Sequence, residues 1–250
     1  MTLTGSSRQS PATISAHLRY PVIRRALASI PGAETVTEIG PGSGAMACRF
    51  VAAGYDYVGF EPDVESFETA EQALRRCGAG KLHNAFLPDD PIRQSDVVAA
   101  FEVLEHIEDD AGTLAGWFRW VRPGGLIVIS VPAHQARFGR WDAAVGHYRR
   151  YERGGLVSLF EAAGFEDVEV RSVGFPAGLL LETIRNLVAS PDGSTIDEQT
   201  AASGRRLQPT QRSGWLTAAA ALPFHPVQRM FEGTDLGTGY VVSARRPPDR

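Results

Sequence analysis

Val36-Thr37-Glu38-Ile39-Gly40-Pro41-Gly42-Ser43-Gly44 is the stretch whose reading decides the fold: a β-type run that passes straight into a helix through three glycines at alternate positions. Glycine takes positive φ without steric cost and lets backbone N–H groups approach a ligand closely, so a ligand is expected at the carboxyl end of this strand. The loop alone does not choose that ligand. Gly40, Gly42 and Ala45 also satisfy the G-x-G-x-x-G/A dinucleotide fingerprint.

Two acidic residues sharpen the choice. Glu38 stands two residues before the first glycine, where a carboxylate would repel a pyrophosphate and favour a cation. S-adenosylmethionine carries an ammonium and a sulfonium and no phosphate. Glu61 ends the next strand in Val58-Gly59-Phe60-Glu61-Pro62-Asp63, where a carboxylate accepts both ribose hydroxyls. That position is shared with NAD enzymes, so it argues for a nucleoside without naming the cofactor. The plain alternative for both acids is helix capping or a solvated loop.

Outward from this loop, β-type runs at Thr35–Ile39, Tyr57–Glu61, Asp96–Phe101 and Leu126–Val131 alternate with helix-like segments at Gly44–Ala53, Val64–Cys77 and Asp109–Val121. Such alternation predicts βαβ units and a mostly parallel sheet with helices on both faces. A helix over Gly154–Ala163 and a strand over Glu166–Val173 follow. Residues 174–236 offer no strand and contain a polar stretch, Ser190–Ser213, read as a surface loop or mobile lid between helical caps. A last strand, Gly239–Ala244, follows, and two strands closing the sheet without a crossover helix of the usual length are expected to leave an antiparallel edge. Before the first strand, Ile14–Ile30 reads as a helix interrupted near Pro21 and packed over the mouth of the sheet.

The 250 residues suit one α/β domain with an elaboration, and a net charge of −4 argues against a nucleic-acid partner, which needs a clustered basic field. No apolar stretch reaches the length of a signal peptide or a membrane span. Cys48 and Cys77, the two cysteines, fall in helix-like segments outside any Cys-rich framework, so a reducing cytosol is expected.

Glu38-Ile-Gly-Pro-Gly-Ser-Gly44 followed by Gly59-Phe-Glu-Pro-Asp63 resembles the cofactor site of class I S-adenosylmethionine-dependent methyltransferases. The likeness continues in order through Asp96-Val-Val-Ala-Ala-Phe-Glu-Val-Leu-Glu-His-Ile107 and Val121-Arg-Pro-Gly-Gly-Leu-Ile-Val-Ile-Ser-Val-Pro132, about residues 34 to 132 in all. It implies a Rossmann-like three-layer α/β sandwich: a seven-stranded, mostly parallel sheet with an antiparallel C-terminal strand, plus a helical cap. The division it suggests is an N-terminal helical cover over 1–33 and a methyltransferase domain over 34–250 with an insertion at about 174–236. S-adenosylmethionine is the implied cofactor. Gly40, Gly42 and Gly44 would wrap its aminocarboxypropyl arm, Glu38 would lie near its ammonium and Glu61 on its ribose. Phe60 and Pro62 would flank the adenine, and the main chain at Phe101 and Glu102 would face the methionine end. Asn84 and Ala85 stand where relatives often place an acidic residue against the adenine amino group; Asn84 departs from that pattern.

Methyl transfer is an in-line displacement at a sulfonium, so the protein's tasks are alignment, partial desolvation and, for an O or N acceptor, proton removal. Candidates for the last are His106, in the loop after the fourth strand, and His147 or Tyr148 in Gly146-His-Tyr-Arg-Arg-Tyr151, which resembles a stretch of a mixed methyltransferase subgroup. Arg149 and Arg150 are expected to pair with loop carboxylates such as Asp142 or with an acidic substrate group. The bland reading is that this segment only anchors the loop. Phe175, Leu179, Leu180, Trp215, Leu216 and Phe224 are candidates for an apolar acceptor cavity or for ordinary packing. No metal ligands are expected. The acceptor is expected to be a small molecule.

Three rivals remain. A nicotinamide-dependent Rossmann reductase fits part of the loop, but Glu38 opposes it and the sole lysine, Lys81, forms no Tyr-x-x-x-Lys pair. A base-amino methyltransferase would carry an Asn/Asp-Pro-Pro-aromatic loop where this chain has Phe101-Glu102-Val103-Leu104. A non-catalytic binding protein on the same fold is disfavoured by the intact glycine loop and both acids.

Overall fold

The computed structural model describes residues 12–189 and 214–249. Seven strands, β1 (Thr35–Ile39), β2 (Asp56–Phe60), β3 (Lys81–His83), β4 (Ser95–Phe101), β5 (Val121–Pro132), β6 (Glu166–Val173) and β7 (Gly239–Arg245), form one sheet in the order β3-β2-β1-β4-β5-β7-β6. β1 to β5 pair in parallel, and β7 pairs antiparallel to both β5 and β6. The two closing strands give the antiparallel edge expected from sequence, with β6 outermost and β7 between β5 and β6. The β7 run of Tyr240 to Ala244 is buried throughout, which suits an interior strand better than an edge.

Strand periodicity splits the core into two layers. Val97, Ala99, Leu126 and Val128 point to one face, against Met46 and Phe50 of α2 (Ala45–Ala52), Leu74 of α3 (Val64–Cys77), and Val22 and Ile23 of α1 (Ile14–Leu27). Val98, Ala100, Ile127 and Ile129 point to the other, against Trp117 and Trp120 of α4 (Asp110–Trp120) and Leu156 and Phe160 of α6 (Arg153–Ala162). Side-chain caps set three helix starts: Thr13 accepts from the Ala16 N–H, Asp63 from Ser66 and Asp109 from Gly112.

α1 runs unbroken through Pro21. Proline removes one helical hydrogen bond, but burial of Leu18, Val22 and Ile23 holds the helix on the sheet. Its Leu18 carbonyl also accepts from buried Gln228 of α9 (Phe224–Phe231), whose Oε1 takes the Gly174 N–H. The remaining helices among the described residues are α5 (Arg140–Ala144), α7 (Ala177–Val188) and α8 (Gly214–Ala221). The expected lid, Ser190–Ser213, lies outside the described residues.

Cys48 and Cys77 form a disulfide between α2 and α3, 29 residues apart in sequence. The sequence left this pairing open, and with the bond formed the two cysteines no longer argue for a reducing compartment. The two helices pack side by side on one face of the sheet, and Gly44 makes the approach close: a Cβ there would lie 3.0 Å from the Ala70 Cα. Among the described residues no helix is long and apolar enough to cross a membrane.

Candidate active site

The strand order reverses direction between β1 and β4, and a cavity of about 1280 Å3 opens there beyond the carboxyl ends of the strands. This is where open α/β sheets place ligands. The cavity joins the glycine loop (Gly40, Pro41, Gly42, Ser43) to the turn after β4 and to His147, with Ser15, Ala16 and Arg19 of α1 forming one wall.

At the glycine end, Gly40 and Gly42 have φ of +63° and +56°. A Cβ at Gly40 would lie 2.8 Å from a Val103 methyl, whereas one at Gly42 would meet open space. Gly42 thus presents bare backbone to the cavity. Gly44 does not line it; this glycine serves helix packing. Glu61 is buried and accepts from the N–H groups of Gly42 (2.9 Å) and Asp63 (3.1 Å), which ties the end of β2 to the glycine loop. Burial raises its pKa, and those two N–H bonds resist the rise.

Glu38 is also buried and has one donor, the Tyr57 hydroxyl at 2.8 Å. Burial pushes its carboxyl up to about 8 against that bond. The group is therefore largely neutral at pH 7 and would ionise fully only beside a cation. Sequence reasoning missed Tyr57. The available signal was Tyr57-x-Gly59: both lie on one face of β2, Gly59 is the register partner of Glu38, and a Cβ at Gly59 would come within 2.5 Å of the Tyr57 hydroxyl oxygen.

Phe60 and Pro62 line the cavity. Phe60 is buried, stacked on His83 at 4.9 Å and edge-on to Trp120 at 5.4 Å. Asn84 and Ala85 are outside the lining; Asn84 donates to the Glu61 and Pro62 carbonyls and so clasps the loop. Phe86, Leu87 and Pro88 take the cavity-facing positions instead.

At the other end, Phe101 and Glu102 border the cavity. Glu102 is held at φ +58°, a costly conformation for a residue with a Cβ and one found most often at functional sites. Its carboxylate is paired with Arg19 at 2.6 Å and accepts from Ser130. Burial opposes its charge, but Arg19 and Ser130 hold the pKa below the usual range. Sequence reasoning also missed Arg19, because nothing local to α1 announces a contact with β4.

His147 is packed edge-on to His106, with ring centroids 4.7 Å apart, and both line the cavity. His147 Nδ1 is 2.8 Å from Asp142, which is fully buried and receives both Nε and Nη2 of Arg150 at 2.8 Å. Burial alone would raise the Asp142 pKa, but the bonds from His147 and Arg150 bring it down to about 2. Glu182 of α7 closes the network from the far side of Arg150. Burial and the neighbouring His147 depress His106 to about 3, so His106 is neutral near pH 7. Tyr148 and the apolar set Phe175, Leu179, Leu180, Leu216 and Phe224 do not line the cavity; Leu180 and Leu216 are exposed and Phe175 packs against Phe231 with the rings tilted by 57°. The Trp215 side chain lies outside the described residues. Arg150 pairs with Asp142 as expected, while Arg149 pairs with Asp110 at 2.9 Å.

A family model described as "Methyltransferase domain" matches residues 15–170. A protein of Mycolicibacterium smegmatis, named a probable S-adenosylmethionine-dependent methyltransferase, is 30% identical over 185 residues, 72% of this chain and 69% of that protein. An uncharacterized methyltransferase of Mycobacterium sp. (strain KMS) is 32% identical over 120 residues, 47% of this chain and 46% of its own length. Among solved structures, the Haemonchus contortus phosphoethanolamine N-methyltransferase 2 with S-adenosyl-L-methionine aligns with a TM-score of 0.58 at 16% identity, covering 91% of this chain and 53% of that one. The N-methyltransferase NodS of Bradyrhizobium japonicum with S-adenosyl-l-homocysteine aligns at 0.57 and 15% identity, covering 92% and 86%. At these identities the structural likeness shows a shared fold.

Proposed function

The chain belongs to the family of S-adenosylmethionine-dependent methyltransferases, and from that premise we propose that it methylates an oxygen or nitrogen of a small molecule, such as a metabolite or a natural-product or glycan intermediate. The observation that carries this reading is the single cavity connecting the glycine loop to His147. In it, Glu38 would meet the cofactor's ammonium, Gly40 and Gly42 would bound the aminocarboxypropyl arm, Glu61 would face the ribose, Phe60 and Pro62 would flank the adenine, and the backbone at Phe101 and Glu102 would border the methionine end. α1 and α7 act as covers.

The acceptor's lone pair attacks the methyl carbon as the carbon–sulfur bond breaks, giving S-adenosylhomocysteine and releasing one proton. Of the sequence candidates, His147 is placed to take it. Asp142 fixes its Nδ1 as the N–H nitrogen, which leaves the Nε2 lone pair free. Tyr148 is withdrawn from the cavity, and His106, too weak a base at neutral pH, is left to orient.

Isothermal calorimetry with S-adenosylhomocysteine and with NADH tests the reading directly. Binding of the first and none of the second is expected; the reverse would sustain the reductase. Cofactor binding without turnover across a panel of hydroxyl and amine acceptors would instead favour a binding protein.

A further inference from the structure

Each carboxylate around His147 except one has its own partner. Glu102 pairs with Arg19, and Asp142 with Arg150. Glu105, on the short 3-10 turn Leu104–His106, differs: it is fully buried, and among the described residues neither carboxylate oxygen has a hydrogen-bond partner, its one ionic contact being the long one to His147. A buried carboxylate that stays ionised is paired or holds a cation.

Both neighbouring imidazoles have one nitrogen committed to an acceptor. His106 Nδ1 lies 3.2 Å from the Gly146 carbonyl and His147 Nδ1 lies 2.8 Å from Asp142. Outer contacts of this kind fix the tautomer and leave the other ring nitrogen as a lone pair, the arrangement that metal-binding histidines show. His147 Nε2 is 3.9 Å from Glu105 Oε1, and one donor atom from each of Glu105, His106 and His147 lies within 4.8 Å of the others. Ligands on a single tetrahedral ion stand roughly 3.4 Å apart at bond lengths of about 2.1 Å, so a modest closure of the three side chains completes the set.

We propose that Glu105, His106 and His147 bind one divalent transition-metal ion of the Zn2+ or Mn2+ class, with the remaining coordination positions open to the cavity. Two imidazoles and a carboxylate suit such ions and leave room for exogenous ligands. The proposal rests on the methyltransferase reading for what the ion would do there, and it selects oxygen over nitrogen as the acceptor atom. A hydroxyl bound to the ion sheds its proton to solvent near neutral pH, and the resulting alkoxide attacks the methyl carbon. His147 then acts as a ligand and not as the base.

The test uses full-length protein stripped with a chelator and dialysed. Titration with Zn2+ and with Mn2+ by calorimetry, and elemental analysis after gel filtration, should show one ion per chain. Glu105→Gln, which keeps the side-chain shape and replaces the ligating carboxylate with an amide, should weaken binding at least tenfold. His147→Gln should do likewise. Chelation should abolish methylation of hydroxyl acceptors, and metal should restore it. Absence of a stoichiometric ion in the wild type, or equal affinity in the wild type and Glu105→Gln, overturns the proposal. If a variant fails to fold, a metal-dependent rise in the melting temperature of the wild type decides: a rise that saturates at one equivalent supports the site, and none overturns it. S-adenosylhomocysteine affinity of the stripped protein, measured alongside, separates the two readings. Its loss with metal binding intact sinks the methyltransferase reading alone.

Discussion

The two ends of the cavity are built by different means. The glycine end comes mainly from one contiguous stretch, residues 38 to 63, and it borders the cavity with the bare backbone of the glycine loop and two carboxylates at strand ends. The histidine end comes from α1, the turn after β4, the loop after β5 and α7, the last two joined by a chain of hydrogen bonds and ion pairs from His147 through Asp142 and Arg150 to Glu182. A site made of turn geometry is written locally in its glycines. One made of a side-chain network exists only after the fold has formed, so substitutions at the two ends should fail in different ways.

The largest effect is expected at His147. With His147→Ala, turnover should fall by about 10²- to 10⁴-fold, the range for loss of a positioned proton acceptor, with S-adenosylhomocysteine affinity within a few-fold of wild type. A metal ligand at this position predicts the same direction, so the chelation experiment is what divides the two roles. Turnover retained in full would remove the histidine end from the chemistry altogether.

Next is the anchor beneath it. Asp142 is fully buried between His147 and Arg150, and it also caps the Gly139 N–H. Asp142→Asn leaves the Arg150 guanidinium facing a neutral amide, and removing one partner of a buried pair costs about 3 to 5 kcal/mol. At about 2 to 4 °C per kcal/mol for a chain of this size, the melting temperature should drop by roughly 10 °C, readable by circular dichroism. No equivalent substitution at the glycine end should cost as much stability, because its carboxylates face the cavity.

Why one end is legible and the other is not follows from these particulars. Thr35–Ile39 and Val64–Cys77 appear in the fold with the bounds their periodicity predicts, since each is a local pattern facing a core. Gly40, Gly42, Glu61 and Phe60 could be placed at the cavity because their positions depend on neighbours in the chain. His147 and Arg150 could be suspected from their loop, but Glu182 and Arg19 could not: α7 and α1 reach the site only through tertiary packing. The same holds for Cys48 and Cys77, whose helices are neighbours on the sheet though far apart in sequence. The position of β7 is a further case, because alternation reports that a strand exists and not which strands it lies between.

A third effect belongs to the glycine end. With its carboxyl near pKa 8 in the unliganded protein, Glu38 carries about 0.9 proton at pH 7. Docking an ammonium against it should expel that proton, so calorimetry in two buffers of different ionisation enthalpy should report release of nearly one proton, and the dissociation constant should fall by about tenfold from pH 6 to pH 7. Glu38→Gln should abolish the release. For stability the sign is reversed. Between pH 4.5 and about 8 the folded state holds a proton that the unfolded state has lost, so unliganded stability contributed by this group declines as pH rises through that window, and Glu38→Gln should flatten the decline. A wild type that binds the nucleoside without releasing a proton would show that the ammonium lies elsewhere.

The smallest effect would sharpen the comparison most, because it tests whether the glycine end has a network of its own. The Tyr57 hydroxyl donates to Glu38 and is the one contact that draws its pKa down against burial. Tyr57→Phe removes a single oxygen from the space that Gly59 leaves open, so the fold should tolerate it. Without that donor, burial acts on Glu38 unopposed and its pKa rises further, which makes ionising it for the ammonium harder. One neutral hydrogen bond is worth about 0.5 to 1.5 kcal/mol, so affinity for S-adenosylhomocysteine at pH 7 should weaken by roughly 2- to 10-fold. The loss should shrink as pH rises toward 9, where more of the carboxyl is already ionised. Because Tyr57 acts through Glu38, adding Tyr57→Phe to Glu38→Gln should cost nothing more. A full additional loss in the double variant would mean that the hydroxyl serves the ligand or the sheet directly, and the glycine end would then be as much a side-chain construction as the histidine end.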